Sequence, residues 1–284
     1  MFIFKSPDLL HATILNRKKQ GQTIGFVPTM GALHQGHLSL IERAKAENDT
    51  VVCSIFVNPK QFDDKLDLVN YPNPIQTDIG MLQSLGVDIM FNPEADQMYG
   101  EDYDNTDLDL IGLDLIHEGK QRPGHFQGVA KVVRRFFEIV EPNKAYFGQK
   151  DFQQAVVVGH LIKSFKIKTE LVVCPIVREP HGLAMSSRNE RLSEDKRLKA
   201  AFIYKSLLKF KERCFFKPLD EALETTLKYL HSIDDATVEY FVCVDGETMQ
   251  RVNDLSESKY IAVVTVVRYD NVRLLDNMVL KDER

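Results

Sequence analysis

The sequence predicts an α/β protein, with a Rossmann-like parallel sheet domain over residues 1–176 and a smaller C-terminal α+β domain over 177–284 acting as a lid. Three observations carry this prediction. Between Thr23 and Cys174, short apolar runs alternate with helix-period stretches, as β–α winding requires. One run, Thr50–Val57, is apolar almost throughout, as in a strand covered on both faces. From about Val177 the texture turns polar, and two helical stretches precede two strand-like ones.

The first strand reads as Thr23–Val27, followed by a turn stopped by Pro28 and Gly31. A helix follows with Leu40, Ile41 and Ala44 facing the core, and His34 and His37 sit where the turn hands over to it. Gly36 between them leaves the backbone room for a close approach. After Thr50–Val57, the segment Asn58-Pro59-Lys60-Gln61-Phe62 reads as a loop. Ile75–Leu85 is helix-like and stops at Gly86, a C-terminal cap, and Val87–Phe91 is the next strand. Gly128–Val140 is an amphipathic helix with Val129, Val132, Val133, Phe136, Phe137 and Val140 on one face. Ala145–Gly148 (strand), Asp151–Phe165 (helix) and Leu171–Cys174 (strand) complete the first domain. Beyond it, Arg178–Asn189 is a polar loop, and Ser193 caps a helix with Glu194 and Asp195 in its first turn. A helix near Leu219–His231 and strands at Ala236–Val244 and Tyr260–Val267 close the chain. In wound parallel sheets ligands bind beyond the carboxyl ends of the strands, where the histidine turn and the Asn58–Phe62 loop would lie.

Composition narrows the class. With 44% hydrophobic and 27% charged residues, 284 residues suffice for two modest domains with proper cores. A net charge of −5 gives no broad attraction to nucleic acid or anionic membrane, so neither is an expected partner. Cys53, Cys174, Cys214 and Cys243 are scattered and form no C-x-x-C pair, which suits buried thiols in a reducing, cytoplasmic setting. Met1–Leu10 lacks the apolar core of a secretory signal, and no run approaches a membrane span.

The common glycine-rich phosphate and dinucleotide loops are absent, as is a G-x-S-x-G elbow. Three polar clusters remain. In the first, a helix start with unpaired N–H groups meets two imidazoles three residues apart, a fitting place for phosphate oxygens. A His-x-x-His pair is also half of a zinc site, but His11, His117, His125, His160, His181 and His231 supply no third and fourth ligand, and no metal-ligating residue is assigned. The second cluster is Gly148-Gln149-Lys150-Asp151-Phe152-Gln153-Gln154, in which Lys150 leaves a strand end with an ammonium able to reach a phosphate. Asp151 with Gln154 equally matches a capping box. The third is Met185-Ser186-Ser187-Arg188-Asn189, two hydroxyls and a guanidinium able to follow charge moving toward pyrophosphate.

Together these clusters resemble a known family. His34-Gln35-Gly36-His37 looks like the HxGH signature of the nucleotidyltransferase superfamily, and Met185–Asn189 like its KMSKS-type partner. The wording of Pro28–His34, Phe56–Phe62, Arg122–Phe126, Phe147–Gln154 and Met185–Asn189 is narrower and resembles the pantoate–β-alanine ligase (pantothenate synthetase) family over nearly the whole chain. The resemblance implies a two-step ligation that uses ATP with Mg²⁺: pantoate is adenylated, and β-alanine then displaces AMP. It implies catalytic roles for His34, His37, Lys150, Ser186, Ser187 and Arg188, with His37 as proton donor. It surrounds ATP with Met30, Gly31, Ala32, Leu33, His34, Gln35, Gly36 and His37, then Gly148, Gln149, Lys150 and Asp151, and finally Val177, Met185, Ser186, Ser187 and Arg188. Gln61 and Gln154 match the glutamines that hold pantoate, Gln61 also lying near β-alanine, and a homodimer is implied. Gln149 stands where glutamate is usual, and Pro180-His181 replaces Pro-Asp, with His181 read as a loop residue without a role. Arg122 and His125 are read as shaping the cleft, Arg122 with a contact to phosphate or β-alanine open to it. The rivals are transfer of a nucleotidyl group to a phosphorylated acceptor, which wants cations where Gln61 and Gln154 stand, and a silent nucleotide-binding protein, which would be expected to lose Lys150 or a histidine. A tRNA-charging enzyme is disfavoured by the short, acidic chain.

Overall fold

Two elements precede the first predicted strand: β1 (Phe2–Phe4) and α1 (Pro7–Lys19). β1 has three residues, too few to display a period, while α1 begins with Ser6 accepting from the Leu9 N–H and Pro7 in its first turn. The computed structural model describes residues 1–99 and 107–284, and its contacts divide the chain into two units. One comprises Met1–Gly148 with Val157–Cys174, the other Gln149–Val156 with Pro175–Arg284.

The first unit continues with β2 (Ile24–Thr29), α2 (Gln35–Glu47) and β3 (Thr50–Ile55), which is buried at every position. Pro59–Gln61, predicted as loop, forms a 3-10 turn in which the Asn58 side chain accepts from the Lys60 N–H. Next come α3 (Lys65–Val69), α4 (Ile75–Ser84) and β4 (Ile89–Phe91), with Gly86 past α4 in the left-handed region at φ 65°. After α5 (Ala95–Met98) and α6 (His117–Gln121), α7 (His125–Val140) starts three residues earlier than predicted. β5 (Lys144–Gly148), the part of α8 (Phe152–Ser164) from Val157 onward, and β6 (Glu170–Cys174) follow, the residues of α8 up to Val156 belonging to the other unit. The six strands form one parallel sheet in the order β1-β4-β3-β2-β5-β6. Successive crossovers run one way from β2 through β3 to β4 and the other way from β5 to β6, so the direction reverses between the adjacent strands β2 and β5, the point at which such sheets bind ligands.

β2 corrects one prediction. The strand runs through Pro28 to Thr29, two residues past its predicted end. Thr29 presents its N–H and C=O toward the β3 side, to Ser54 Oγ (3.3 Å) and Phe56 N (3.1 Å), so the alternation of the ladder turns Pro28 toward β5. Pairing between β2 and β5 covers only Gly25 and Phe26 and has ceased before Pro28, so no partner asks for the missing N–H.

The stripe Val129, Val132, Val133, Phe136, Phe137 and Val140 of α7 is buried as predicted. Phe136 packs edge-on against Phe26 of β2 (5.3 Å between centroids), Phe91 of β4 (6.1 Å) and Phe56 (6.3 Å). At Gly128 the helix touches the Pro59–Gln61 turn so closely that an added Cβ would lie 2.1 Å from the Lys60 carbonyl oxygen.

In the second unit a further 3-10 turn, Ser187–Arg191, precedes α9 (Glu194–Lys199), α10 (Phe202–Cys214) and α11 (Leu219–His231). Ser193 caps α9 as predicted, its Oγ accepting from the Lys196 N–H at 3.4 Å. β7 (Ala236–Asp245), β8 (Tyr260–Tyr269) and β9 (Val272–Asp282) form an antiparallel sheet in that order. The helices cover it through contacts such as Phe210 on Phe241 (5.2 Å) and Phe202 on Tyr269 (5.3 Å). α10 and β9 were not among the predicted elements. All four cysteines are buried and unpaired.

Candidate active site

The turn after β2 is held from below. Gly31 and Ala32 both take positive φ, 81° and 50°, a conformation that costs a non-glycine residue roughly 1–2 kcal/mol. Asp78, fully buried on α4, offsets that strain: its Oδ2 accepts from the Ala32 N–H and its Oδ1 from the Leu33 N–H, each at 2.9 Å. Successive N–H groups closed round one oxyanion form a nest, here filled by the chain's own carboxylate. Burial pushes the Asp78 carboxyl up, and the two N–H groups work against that shift. Gly31 has no room for a side chain, since a Cβ there would lie 2.9 Å from Ile55 Cγ2.

The turn delivers His34 to the N-cap of α2. His34 Nδ1 accepts from the Gly36 N–H (3.1 Å), and His37 Nδ1 accepts from the His34 N–H (3.3 Å), a capping box made of two imidazoles. The rings stack with centroids 4.0 Å apart. Because both Nδ1 atoms accept, the proton of each neutral ring sits on Nε2. The first turn of α2 contains no acidic side chain, so two Nε2–H donors and a helix N-terminus share one place with no internal carboxylate in that turn.

Gln61, in the 3-10 turn, is buried and oriented. Its Oε1 accepts from Asn58 Nδ2 (3.1 Å), and its Nε2 points to Met30 Sδ (3.0 Å), bringing Met30 and Gln61 together. Asn58 is itself held by the Gly128 carbonyl (3.1 Å) and by the Tyr99 hydroxyl, which donates to Oδ1 (2.8 Å). Arg122 donates to His125 Nε2 (3.2 Å), so the His125 proton is on Nδ1, which donates to the Gln61 carbonyl (2.7 Å). Arg122 also meets Asp63 (3.2 Å). This pair therefore braces the Gln61 backbone.

In the second unit, Lys150 Nζ lies 3.3 Å from Asp151 Oδ1, and Gln154 lies in the first turn of α8. The predicted polar loop Arg178–Asn189 is instead a tight hairpin closed by the Arg178–Ala184 bridge and the bonds Glu179 N to Leu183 O (2.8 Å) and Met185 N to Val177 O (3.0 Å). Its buried Glu179 explains the order: Oε1 accepts from Asn189 Nδ2 (2.8 Å) and Oε2 from Arg197 Nε (2.6 Å). Val177 and Met185 are thus joined, and Ser186 starts the Ser187–Arg191 turn with its Oγ accepting from the Arg188 N–H (3.3 Å). His181 Nε2 lies 3.7 Å from Glu179 Oε2.

Sequence reasoning passed over Asp78, Asn58 and the polar pair Asp276-Asn277 of β9. Asp78 had a signal: it lies three residues after Ile75 and four before Leu82, an acid on the apolar stripe of α4. Asn58 lies within the Phe56–Phe62 motif, where nothing in the sequence distinguishes it from an ordinary loop asparagine. Asp276 and Asn277 had none, because their partners lie about a hundred residues away in the chain.

The family model for pantoate-β-alanine ligase matches residues 2–279. The chain belongs to the pantoate–β-alanine ligase family. The pantothenate synthetase of Bacteroides fragilis is 41% identical over 273 residues, covering 96% of each chain, and that of Christiangramia forsetii 42% over 287 residues, covering 99% of this chain and all of the relative. Among solved structures, the pantothenate synthetase of Thermus thermophilus superposes with a TM-score of 0.91 at 39% identity, covering 99% of this chain and 100% of that one. The pantoate-β-alanine ligase of Francisella tularensis, described as complexed with β-γ ATP and β-alanine, gives 0.80 at 38% identity, covering 99% and 98%. The fold class, the family resemblance and the ligase activity in pantothenate biosynthesis expected from the sequence therefore stand.

Proposed function

We propose that this pantoate–β-alanine ligase works through a pantoyl adenylate and that the residues named from its motifs carry the two steps. A carboxylate does not acylate an amine at neutral pH, because oxide is too poor a leaving group. Attack of the pantoate carboxylate on the α-phosphorus of ATP releases pyrophosphate and leaves an acyl phosphate anhydride. The β-alanine amine then adds to the acyl carbon, loses a proton and expels AMP. Mg²⁺ enters as the counter-ion of the triphosphate and so as part of the substrate.

In this reading Met30–His37, Gly148–Asp151, Val177 and Met185–Arg188 take the nucleotide. The phosphorus gains negative charge in the first step, and donors set beforehand stabilise it most. The observation that carries the proposal is the pair of Nδ1-tethered imidazoles at the start of α2, each with its Nε2–H as donor. His37 serves as proton donor to the departing charge, with His34, Lys150, Ser186, Ser187 and Arg188 sharing the phosphates. Gln61 and Gln154 hold pantoate, whose hydroxyls suit neutral amides that both give and accept. Transfer to a phosphorylated acceptor is disfavoured by the same two neutral amides, which offer no charge to a phosphate.

The reading extends to a cytoplasmic homodimer. Four unpaired buried cysteines support the compartment, and the dimer rests on family resemblance, to be checked by sedimentation equilibrium; a monomer at micromolar concentration would overturn it. Among the described residues no helix is long and apolar enough to cross a membrane.

The chemistry is tested by isotope transfer. With pantoate carrying ¹⁸O in its carboxylate, ATP and β-alanine, the AMP formed should contain one labelled oxygen from pantoate. AMP without label would rule out the adenylate route, and no AMP at all would rule out the ligation.

A further inference from the structure

β9 carries a polar pair, Asp276-Asn277, that lies outside the named motifs. Asn277 is 2% exposed, and its amide is used on both sides. Nδ2 donates to the carbonyls of Gln149 (2.9 Å) and Lys150 (3.0 Å), while Oδ1 accepts from Gln149 Nε2 (3.0 Å). Two carbonyls claim both amide hydrogens, which fixes the orientation of the side chain. Its backbone N–H donates to Asp276 Oδ1 (2.7 Å). Asp276, equally buried, takes a two-pronged bond from Arg178, Nη1 to Oδ2 (2.7 Å) and Nη2 to Oδ1 (2.8 Å). Arg178 reaches the Gly182 carbonyl (3.1 Å) and lies 3.8 Å over the ring of Tyr204. One chain of bonds, buried at its centre, thus runs from the hairpin that carries Met185–Arg188, through Arg178, Asp276 and Asn277, to the backbone on either side of Lys150.

We infer that Asn277 is a positioning residue for Lys150: by gripping the Gln149 and Lys150 carbonyls it fixes the peptide from which the lysine projects, in register with the Met185–Arg188 segment. The inference rests on the role given to Lys150 in the adenylation step. A long flexible side chain can reach many places, and a fixed stem restricts them. The polar pair is costly to bury in a strand unless every polar atom is matched, as it is here by Arg178, Gln149 and Lys150. Loss of the Asn277 grip removes its donor from two half-buried carbonyls and lets the Lys150 stem wander.

The test is a double-mutant cycle on the full-length enzyme, read as pyrophosphate release from ATP and pantoate without β-alanine. Asn277→Ala should lower the rate constant of that step about 10- to 100-fold, leave the pantoate KM near its wild-type value, and still give a cooperative melt above the assay temperature. Asn277→Asp, of the same shape but unable when ionised to donate to either carbonyl, should do the same. In a Lys150→Ala background, adding Asn277→Ala should cost less than about threefold more, because the residue acts through the lysine. Full additivity of the two losses, or wild-type rates in both Asn277 variants, would overturn the inference. Unfolding of both variants below the assay temperature would also overturn it, reducing Asn277 to a brace of the sheet. Lys150→Ala alone with an undiminished rate would instead overturn the role of the lysine, a distinct result.

Discussion

His37 gives the start of α2 a ring acceptor for the His34 N–H and a ring donor at Nε2, and its replacement removes both. Loss of the cap is worth about 1 kcal/mol of stability, whereas loss of a donor at a developing oxyanion is worth about 10²–10³ in rate. His37→Ala should therefore fold, melt a few degrees lower, and release pyrophosphate some two to three orders of magnitude more slowly, as a stopped-flow measurement of the first step would record. A near-normal rate would sink the donor role. The spacing of the two histidines was legible in the sequence; the tautomers were not, since they depend on which backbone N–H each ring meets. Asp78 was legible only as an acid out of place, and its task emerges once α4 is seen beneath the Gly31–Ala32 turn.

At the level of elements, α7 and the Pro59–Gln61 turn meet where Gly128 faces the Lys60 carbonyl. Gly128→Ala would gain up to about 1 kcal/mol of helix propensity but force two backbones apart, and overpacking of this kind costs about 1–3 kcal/mol. The variant should lose stability in chemical denaturation and raise the pantoate KM, because Gln61 rides on the displaced turn. An unchanged midpoint and KM would contradict this packing. Strong stripes such as Val129–Val140 and continuous runs such as Thr50–Ile55 were readable because burial follows a period there. β9 escaped because Asp276 and Asn277 are buried side by side, which breaks the alternation that marks a strand. α10 has a helical pattern, Phe202, Ile203, Leu207 and Phe210, interrupted by a buried Ser206 whose hydroxyl returns to the Phe202 carbonyl.

For the molecule as a whole, acid sensitivity follows from Glu47, where the end of α2 meets β5. Lys144 first, then Arg43 and Tyr146, hydrogen-bond its carboxylate and hold it down at about 2 against an ordinary value of 4.5. A depressed acid contributes stability above the unfolded-state value and loses it as pH falls through the folded one. The advantage of the wild type over Glu47→Gln in urea should therefore be constant above about pH 5 and shrink between about 4.5 and 2. An advantage independent of pH would show that Glu47 does not supply it.

The unzipped edge between β2 and β5 has a consequence for anyone redesigning this protein. Strand propensity alone recommends valine at position 28, and valine would hand back the amide hydrogen that proline withholds. With that tooth restored, the two middle ribbons could fasten further along their seam. The imino acid serves as a stop on the zip.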